Sequence, residues 1–303
     1  MSTAFEKTLE HYRSRVEKGI EQYTPKAIGG HKRLHGAMRY SVDAGGKRLR
    51  PILLLMGHAM GSGENDPIPA AVALEWLHTG TLIHDDLPIF DNSDLRRGVP
   101  SCHKKFDDAT ALLAGTSLMI DAFRLICEHY MMEDMDLAVM LTSILSDVAG
   151  SEGLMAGQME DVEAEKGLTN SVMDDETSEK ILRIYANKTA RLIGASLQMG
   201  LLLGEVEDEE VENGLNLGLN LGMAFQLIDD ILDATASSAE LGKTAQRDAD
   251  LGKLTYPSVY GVEKARDLAT YFTDQALELC ENFSSPKKTD LTALVSHLLQ
   301  RKF

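Results

Sequence analysis

The chain has 303 residues, of which 44% are hydrophobic, so it can bury a substantial core as one large domain or two smaller ones. Its formal net charge is −17, and such a field disfavours nucleic acid and anionic membrane surfaces as partners. The three cysteines, Cys102, Cys127 and Cys280, are unevenly spaced, which argues against a disulfide framework or a four-thiolate zinc site and favours a reducing cytoplasm.

Helical periodicity dominates the chain, whereas the alternation typical of strands is scarce. Helices are predicted, in chain order, over residues 5–23, 32–44, 50–60, 67–87, 107–130, 134–150, 153–166, 177–204, 207–235, 255–282 and 289–301. The breaks between them are short, and none resembles a flexible interdomain linker. We therefore predict an all-α fold with one domain over 1–303.

No stretch reaches about 18 consecutive apolar residues, the length at which a membrane-spanning helix is expected. The first ten residues carry charges of both signs and no apolar run. The sequence therefore predicts a soluble protein without stable membrane insertion.

Two aspartate clusters lie within strongly apolar helical stretches, where unpaired carboxylates are costly to keep ionised unless they share a cation. The first cluster contains Asp85, Asp86 and Asp91, and the second contains Asp229, Asp230 and Asp233. The spacing of the second cluster places its carboxylates on one helix face. In the first cluster Pro88 should end or distort the helix and bring Asp91 back toward Asp85.

Both clusters offer only oxygen ligands, which suit Mg²⁺, an ion that commonly completes its shell with waters and substrate phosphate. Cationic residues accompany them: Lys47 and Arg50 after a glycine pair, Arg96 and Arg97 after the first cluster, and Lys188, Lys243 and Lys253 around the second. This arrangement predicts two anions held differently. One would be bridged to aspartates by metal, and the other would be bound by cations directly.

Glycines recur at every fourth position in the stretch 213–222. Close helix packing on a ridge of small residues is the preferred interpretation. Room for an apolar ligand beside the second aspartate cluster is the alternative.

The ordered motifs resemble the trans-isoprenyl diphosphate synthases, which include farnesyl and geranylgeranyl diphosphate synthases. The resemblance spans nearly the whole chain and rests on residues 45–51, 78–98, 157–161, 188–189, 225–233, 242–243 and 251–257. It implies the all-helical prenyl synthase bundle, with a deep central cavity in which the two aspartate-rich helices face each other. It also implies a homodimer.

By this resemblance, Asp85, Asp91 and Asp229 would ligate about three Mg²⁺ ions that bridge an allylic prenyl diphosphate. Asp86, Asp230 and Asp233 would be further ligands or supports. Arg96, Lys188, Lys243 and Lys253 would contact the same diphosphate. Isopentenyl diphosphate would be bound by Lys47, Arg50, His78 and Arg97.

The resemblance implies a reaction that begins with ionisation of the allylic C–O bond. The double bond of isopentenyl diphosphate then attacks the carbocation, and a proton is lost. Thr189 and Gln226 would stabilise the cation without offering a competing nucleophile, and exclusion of water would protect it.

Residues one turn before Asp85 should lie where a growing prenyl tail descends. Gly80 and Thr81 occupy these positions, and the absence of a bulky aromatic leaves the pocket open by about 6 Å, to the next turn near Trp76. This predicts geranylgeranyl diphosphate as the product, with farnesyl diphosphate as the alternative. Gly80 could instead serve helix packing, with the floor set by another helix or by a dimer partner.

Other classes of protein remain open at this point. A class I terpene cyclase would share the aspartate-rich helix and Mg²⁺, but it would not need a dedicated site for a second diphosphate. A di-iron helical bundle would need a pair of Glu-x-x-His motifs, and residues 75–78 supply one. A non-catalytic subunit of a heteromeric synthase is a further alternative.

Overall fold

The computed structural model describes residues 3–167, 173–235 and 253–299. Its helices are α1 (Thr3–Tyr23), α2 (Lys32–Asp43), α3 (Leu49–His58), α4 (Ile68–Asp85), α5 (Cys102–Lys105), α6 (Asp108–Tyr130), α7 (Met135–Ala149), α8 (Leu154–Gly167), α9 (Asp175–Tyr185), α10 (Arg191–Leu203), α11 (Asp208–Thr235), α12 (Tyr256–Tyr260), α13 (Val262–Glu281) and α14 (Lys288–Leu299). The predicted all-α fold is confirmed.

Extended structure among the described residues is a two-residue ladder, in which β1 (Leu95–Arg96) pairs antiparallel with β2 (Val99–Pro100). The turn between these strands carries Arg97 and Gly98, both with positive φ. The hairpin therefore folds back sharply just after the first aspartate cluster, and it carries Arg96 and Arg97.

Two predicted helices are interrupted in the structure. The helix predicted over 177–204 contains a π-helical turn at Ala186–Ala190, an irregularity that residue periodicity does not reveal. The helix predicted over 255–282 is divided at Gly261, whose φ of 88° is not helical. The predicted helix over 67–87 ends at Asp85, in keeping with the helix-ending effect expected of Pro88.

Aspartates cap several helices where the sequence predicted a helix start. The side chains of Asp107, Asp134 and Asp174 accept hydrogen bonds from the backbone N–H groups of Thr110, Leu137 and Thr177. Each bond satisfies one of the N–H groups left without an intrahelical partner. The starts of α6, α7 and α9 are thus set by local sequence.

Helix α4 runs through the core, and most of its residues are buried. It crosses α6 at two glycines that allow close backbone approach. A Cβ atom on Gly80 would lie 2.7 Å from the carbonyl oxygen of Gly115, and one on Gly115 would lie 2.9 Å from that of Gly80. The crossing therefore leaves no room for a side chain at either position.

Helices α10 and α11 also meet through glycines. A Cβ atom on Gly218 would lie 2.5 Å from the Cα of Gly194, and one on Gly222 would lie 2.4 Å from the Cα of Ala190. The close-packing interpretation of the glycine stretch is confirmed. This packing fixes the helix that carries the second aspartate cluster against the segment that carries Lys188 and Thr189.

Two described segments are long and apolar enough to suit a membrane span by length and composition alone, Asp108–Tyr130 and Met135–Glu165. In the most apolar 18-residue part of each segment, only 39% and 44% is buried inside the protein. Much of the apolar surface of α6 and α7 is thus exposed, including Leu113, Ile120 and Val139. This exposed apolar surface was not predicted from the sequence.

Candidate active site

A cavity of about 760 Å³ brings the predicted site residues together. Its lining includes Lys47, Arg50, His78, Thr81, Asp85, Asp91, Arg96, Arg97, Lys188, Thr189, Gln226, Asp229, Asp230, Asp233 and Lys253. These residues come from α3 and the loop before it, α4 and the loop after it, the β1–β2 hairpin, the π turn, α11 and the segment before α12. Lys243 lies outside the described residues.

The first aspartate cluster turns back on itself after α4. The backbone N–H of Asp91 donates to the carbonyl oxygen of Asp85 at 2.9 Å, so both residues reach the cavity despite their separation in sequence. Burial raises the pKa of Asp85, while the nearby Lys188 ammonium lowers it in part. A cation between these carboxylates would favour their ionised forms.

Asp86 behaves differently from its neighbours. It is almost fully buried, and both carboxylate oxygens accept hydrogen bonds from Arg96, whose Nε lies 3.1 and 3.0 Å from them. Asp86 is absent from the lining of the large cavity. Its geometry therefore fits the supporting role considered in the sequence analysis and not that of a direct metal ligand.

The second cluster lies on the cavity face of α11, as its spacing predicted. Asp229, Asp230 and Asp233 all line the cavity. Asp230 accepts a hydrogen bond from the Tyr185 hydroxyl and another, at 2.8 Å, from the Gln226 amide nitrogen. Both oxygens of Asp230 therefore accept hydrogen bonds from protein groups. A metal ligand would instead direct its oxygens at the ion.

Two lysines predicted to bind diphosphate form ion pairs in the structure. Lys188 Nζ lies 2.5 Å from Asp161 Oδ2, and Lys253 Nζ lies 3.1 Å from Asp91. Asp161 was not among the predicted site residues, although it belongs to a motif, 157–161, that carried the resemblance. The pairing of its carboxylate with Lys188 is a tertiary contact that the sequence did not predict.

A separate, arginine-rich part of the cavity contains the predicted second anion site. Arg50 Nε and Arg97 Nη1 are buried and have no hydrogen-bond partner among the described residues. Burial lowers the pKa of Arg50 to about 10, so it remains protonated at neutral pH. Buried donors of this kind are costly unless a ligand accepts from them. They therefore indicate an anion-binding pocket.

Glu75 and His78 complete this arginine pocket from α4. Glu75 is buried and accepts from Arg48 Nη1 at 2.6 Å and from Arg97 Nη2 at 3.2 Å. His78 Nε2 lies 3.2 Å from Arg50 Nη1, and burial together with the arginines lowers its pKa well below the usual value. The neutral ring can thus accept from Arg50. In the sequence, Glu75 stood out only as part of an incomplete metal motif.

Thr189 and Gln226 meet on the wall of the cavity. Thr189 Oγ1 donates to Gln226 Oε1 at 2.8 Å, and both residues line the cavity. Near them, Lys47 Nζ lies 5.8 Å from the centroid of the Phe225 ring. The wall thus presents a neutral hydroxyl and a neutral amide, neither of which is an ionised nucleophile, together with the face of an aromatic ring.

The proposed chain-length positions are only partly supported. Thr81 lines the cavity, whereas Gly80 faces α6 and Trp76 is buried in the core with its Nε1 donating to Thr24 Oγ1 at 3.1 Å. The prediction that Gly80 opens the pocket is therefore contradicted by the structure, which supports the alternative that this glycine serves helix packing. The periodicity of α4 did not show which neighbour covers each face.

The donor set can be tested for a fit to Mg²⁺. All the cavity carboxylates are hard oxygen ligands, yet among residues 3–167, 173–235 and 253–299 no group of three or more His, Cys, Asp or Glu side chains converges closely enough to hold a metal by itself. Mg²⁺ keeps several waters and uses substrate phosphates as ligands. The two separated carboxylate banks therefore fit an ion that is shared with a bound diphosphate.

An all-helical cavity lined by two aspartate clusters and by an arginine-rich pocket defines a class of protein that handles two anionic groups at once. Comparison with known proteins agrees with this class. The family model for polyprenyl synthetase matches residues 31–295. The chain therefore belongs to the polyprenyl synthetase family, and it is a trans-prenyltransferase.

Individual relatives are consistent with this assignment. The chain is 39% identical over 289 residues to a heterodimeric geranylgeranyl pyrophosphate synthase large subunit 2 of Arabidopsis thaliana, covering 94% of this chain and 74% of the relative. It is 41% identical over 269 residues to a chloroplastic geranylgeranyl pyrophosphate synthase of Capsicum annuum, covering 88% and 71%. A solved geranyltransferase from Helicobacter pylori, complexed with magnesium and isoprenyl diphosphate, shares 32% identity with a TM-score of 0.82, covering 96% and 97%.

The predicted cytoplasmic location is wrong on this comparison, because the relative from Capsicum annuum and another from Catharanthus roseus are named chloroplastic. The prediction rested on the cysteine pattern and the N-terminal composition. Unpaired cysteines indicate only that thiols stay reduced. They do not distinguish one reducing compartment from another.

Proposed function

We propose that this protein is a Mg²⁺-dependent synthase that condenses isopentenyl diphosphate with an allylic prenyl diphosphate to give geranylgeranyl diphosphate. The observation that carries the proposal is the presence of two unlike anion sites in one cavity. Aspartates and lysines line one site, and the other is lined by buried arginine donors that have no partner within the described part of the chain. A reaction that joins two diphosphate esters requires both.

Asp85, Asp91 and Asp229 would hold about three Mg²⁺ ions against the allylic diphosphate. When bound, these ions stabilise negative charge on the departing diphosphate. Asp86 holds the Arg96 guanidinium so that it can reach the same diphosphate. Lys188, Lys253 and, beyond the described residues, Lys243 would add positive charge to the leaving group.

The arginine pocket would bind isopentenyl diphosphate without metal. Arg50 and Arg97 would donate to its oxygens from the buried atoms Nε and Nη1, which have no partner among residues 3–167, 173–235 and 253–299. Lys47 would reach the outer oxygens from its exposed position. His78, kept neutral by its surroundings, would orient Arg50. The double bond would thereby be held beside the wall formed by Thr189 and Gln226.

The wall formed by Thr189 and Gln226 would stabilise the allylic cation. The oxygens of Thr189 and Gln226 can face positive charge without forming a bond to carbon as readily as a carboxylate would. The released diphosphate would accept the proton lost after condensation, so no protein base is required. Exclusion of water by the apolar lining, including Leu82 and Ile193, would prevent capture of the cation.

The product length is supported by the relatives named geranylgeranyl pyrophosphate synthases, and farnesyl diphosphate is the alternative. Thr81 is the one of the three proposed chain-length residues that lines the cavity. Thr81→Phe should shorten the product, because the ring would enter the cavity that Thr81 lines. Chromatography of dephosphorylated products, with geranyl and farnesyl diphosphates as alternative starters, would measure the change.

The function is tested by incubating purified protein with Mg²⁺ and both substrates. Diphosphate and an elongated prenyl diphosphate should appear, and EDTA should abolish both. A hydrocarbon formed from the allylic diphosphate alone would favour a terpene cyclase. Absence of any product until a second, different subunit is added would favour a component of a heteromeric synthase, as in the relative named a heterodimeric large subunit.

We propose further that residues 1–303 form one domain and that two identical chains associate through α6 and α7. The hydrophobic core contains residues from α1 through α14, including Val16 and Leu294, which supports one domain. Ile120 and Val139 are 62% and 59% exposed on otherwise apolar helices, and contiguous exposed apolar surface typically marks an interface.

Light scattering should show a dimer for the wild type and a monomer for Ile120→Asp combined with Val139→Asp. Tyr271→Asp, which changes an exposed ring on α13, is the control and should remain dimeric. A wild-type monomer that is fully active would contradict the homodimer.

A plastid location is supported by the relatives from Capsicum annuum and Catharanthus roseus, which are named chloroplastic. Immunodetection in fractionated cells should find the protein with plastid markers. Recovery with the cytosolic fraction alone would overturn this part of the proposal.

A further inference from the structure

The hydroxyl of Tyr185 joins three segments around the cavity. Tyr185 is the last residue of α9, it is 4% exposed, and it lines the cavity just before the π turn. Its O–H donates to Asp230 Oδ2 on α11, and its oxygen accepts from the backbone N–H of Tyr256 at 2.7 Å. No sequence motif indicated a role for this tyrosine.

The bond to Asp230 continues toward the reacting centre. The other carboxylate oxygen, Oδ1, accepts from Gln226 Nε2 at 2.8 Å, and Gln226 Oε1 in turn accepts from Thr189 Oγ1 at 2.8 Å. An ionised carboxylate can only accept hydrogen bonds. It therefore selects the NH₂ end of the Gln226 amide and leaves the oxygen on the side of Thr189.

We propose that Tyr185 is a positioning residue that fixes the orientation of the Gln226 amide by holding the Asp230 carboxylate in place. The inference rests on the proposed function, in which the Gln226 oxygen faces a developing carbocation. A flipped amide would present its partly positive NH₂ group to that cation. It would also place its oxygen against the Asp230 carboxylate, so both ends of the amide would be unfavourable.

Without the hydroxyl, Asp230 would lose the hydrogen bond that holds its Oδ2 atom. The carboxylate could then rotate, and the Gln226 amide would lose the partner that determines its orientation. Because the effect acts on cation stabilisation, it should appear in kcat. The groups that bind the two diphosphates do not form part of this chain of hydrogen bonds, so the KM values should change little.

The second bond of Tyr185, to the N–H of Tyr256, offers a competing route by which its loss could act. Tyr256 begins α12, three residues after Lys253, whose ammonium contacts Asp91. A defect transmitted through this segment would change the Mg²⁺ requirement and the KM of the allylic substrate. The kinetic constants therefore separate the two routes.

The test is Tyr185→Phe, which removes the hydroxyl and keeps the ring. Loss of one hydrogen bond to a charged group predicts a fall in kcat of roughly 10- to 100-fold. The KM of each diphosphate and the half-saturating Mg²⁺ concentration should stay near their wild-type values. Tyr130→Phe is the matched control, because Tyr130 is 2% exposed and donates to the Asp66 carbonyl at 2.6 Å, outside the cavity lining.

A double-mutant cycle with Gln226→Met decides whether the effect runs through Gln226. If it does, Tyr185→Phe should cause no further loss of kcat in the Gln226→Met background. Independent losses whose factors multiply would overturn the proposal. So would an unchanged kcat in Tyr185→Phe, or a defect confined to KM and the Mg²⁺ requirement.

Rescue by a donor provides a second variant in case the phenylalanine protein fails to fold. Replacement of Tyr185 by 4-aminophenylalanine keeps an N–H donor near Asp230 and should retain most of the wild-type kcat. A folded protein of this kind with kcat as low as that of Gln226→Met would overturn the inference. Failure of the wild type to elongate any prenyl diphosphate would instead refute the proposed function itself.

Discussion

The carboxylate region and the arginine pocket of the cavity differ in how their charges are compensated. In the carboxylate region, cations already pair with acids: Lys188 with Asp161, Lys253 with Asp91, and Arg96 with Asp86. In the arginine pocket, Glu75 faces Arg48 and Arg97, while Arg50 and Arg97 keep buried donors without partners among the described residues.

The difference shows why two chemically similar substrates need unlike sites. Additional positive charge must enter the carboxylate region before a diphosphate can bind there, because aspartates alone repel it. The arginine pocket needs no such addition. A divalent ion should therefore control binding of the allylic substrate and activate it, while isopentenyl diphosphate binds through protein groups alone. Four experiments test this contrast.

The largest effect is expected for the metal ligands. Asp85→Ala and Asp229→Ala should each lower kcat at least about 10²-fold, because each removes charge that holds the ions stabilising the leaving group. Diphosphate release at saturating Mg²⁺ would measure this. Asp274→Ala, at an exposed position on α13, is the control and should keep its rate. Near wild-type rates in either active-site variant would show that metal binding does not distinguish the carboxylate region from the arginine pocket.

Arg50→Met should act on the other region. The KM for isopentenyl diphosphate should rise roughly 10- to 100-fold, the loss expected for a charge-assisted hydrogen bond. The KM of the allylic substrate and the Mg²⁺ requirement should remain unchanged. Steady-state kinetics with each substrate varied in turn would show this, with Arg13→Met on the surface of α1 as the control. An equal rise in both KM values would mean that the two regions are not separate.

Lys253→Met should tighten Mg²⁺ binding to the substrate-free protein. The lysine competes with the ion for Asp91, and loss of a partly exposed pair predicts an increase in affinity of roughly 2- to 5-fold. Titration calorimetry would measure the affinity, and Lys104→Met, which removes a lysine paired with the exposed Asp94, is the control. Weaker Mg²⁺ binding would show that Lys253 does not compete with the metal.

The smallest effect concerns the pH dependence of stability. The pKa of His78 lies well below its usual value because of burial and the surrounding arginines. Below about pH 6.5 His78 is therefore protonated in the unfolded chain but stays neutral in the folded pocket. The free energy of unfolding decreases as pH falls through that window. Urea unfolding at pH 7.5 and 5.5 should show a pH-dependent loss in the wild type that is smaller in His78→Gln by about 1 kcal/mol. Equal losses would indicate that His78 is protonated in the pocket.

The local sequence predicted the site residues correctly wherever all residues of a motif lay on one helix. Asp229, Asp230 and Asp233 share a face of α11 because helical spacing requires it. The return of Asp91 toward Asp85 followed from Pro88. The π turn, the arginine-facing carboxylate of Glu75 and the Tyr185 hydroxyl could not be predicted in this way, because each depends on which helix lies opposite.

Gly80 illustrates the same limit. Its position about one turn before Asp85 was predicted correctly. The prediction that this side of the helix faces the cavity was wrong, because it faces α6. A neighbouring backbone oxygen at Gly115 fills the space that the sequence assigned to a prenyl tail.

By itself the sequence determined the helical class, the two acidic clusters and the cations needed for two anions, because periodicity and spacing act within single helices. Tertiary structure alone decided which aspartates face the cavity and which are held by Arg96 or Tyr185. It also decided which arginine donors remain available to a ligand. These outcomes depend on contacts between residues far apart in the chain, and only the packing of α4, α6, α10 and α11 brings those residues together.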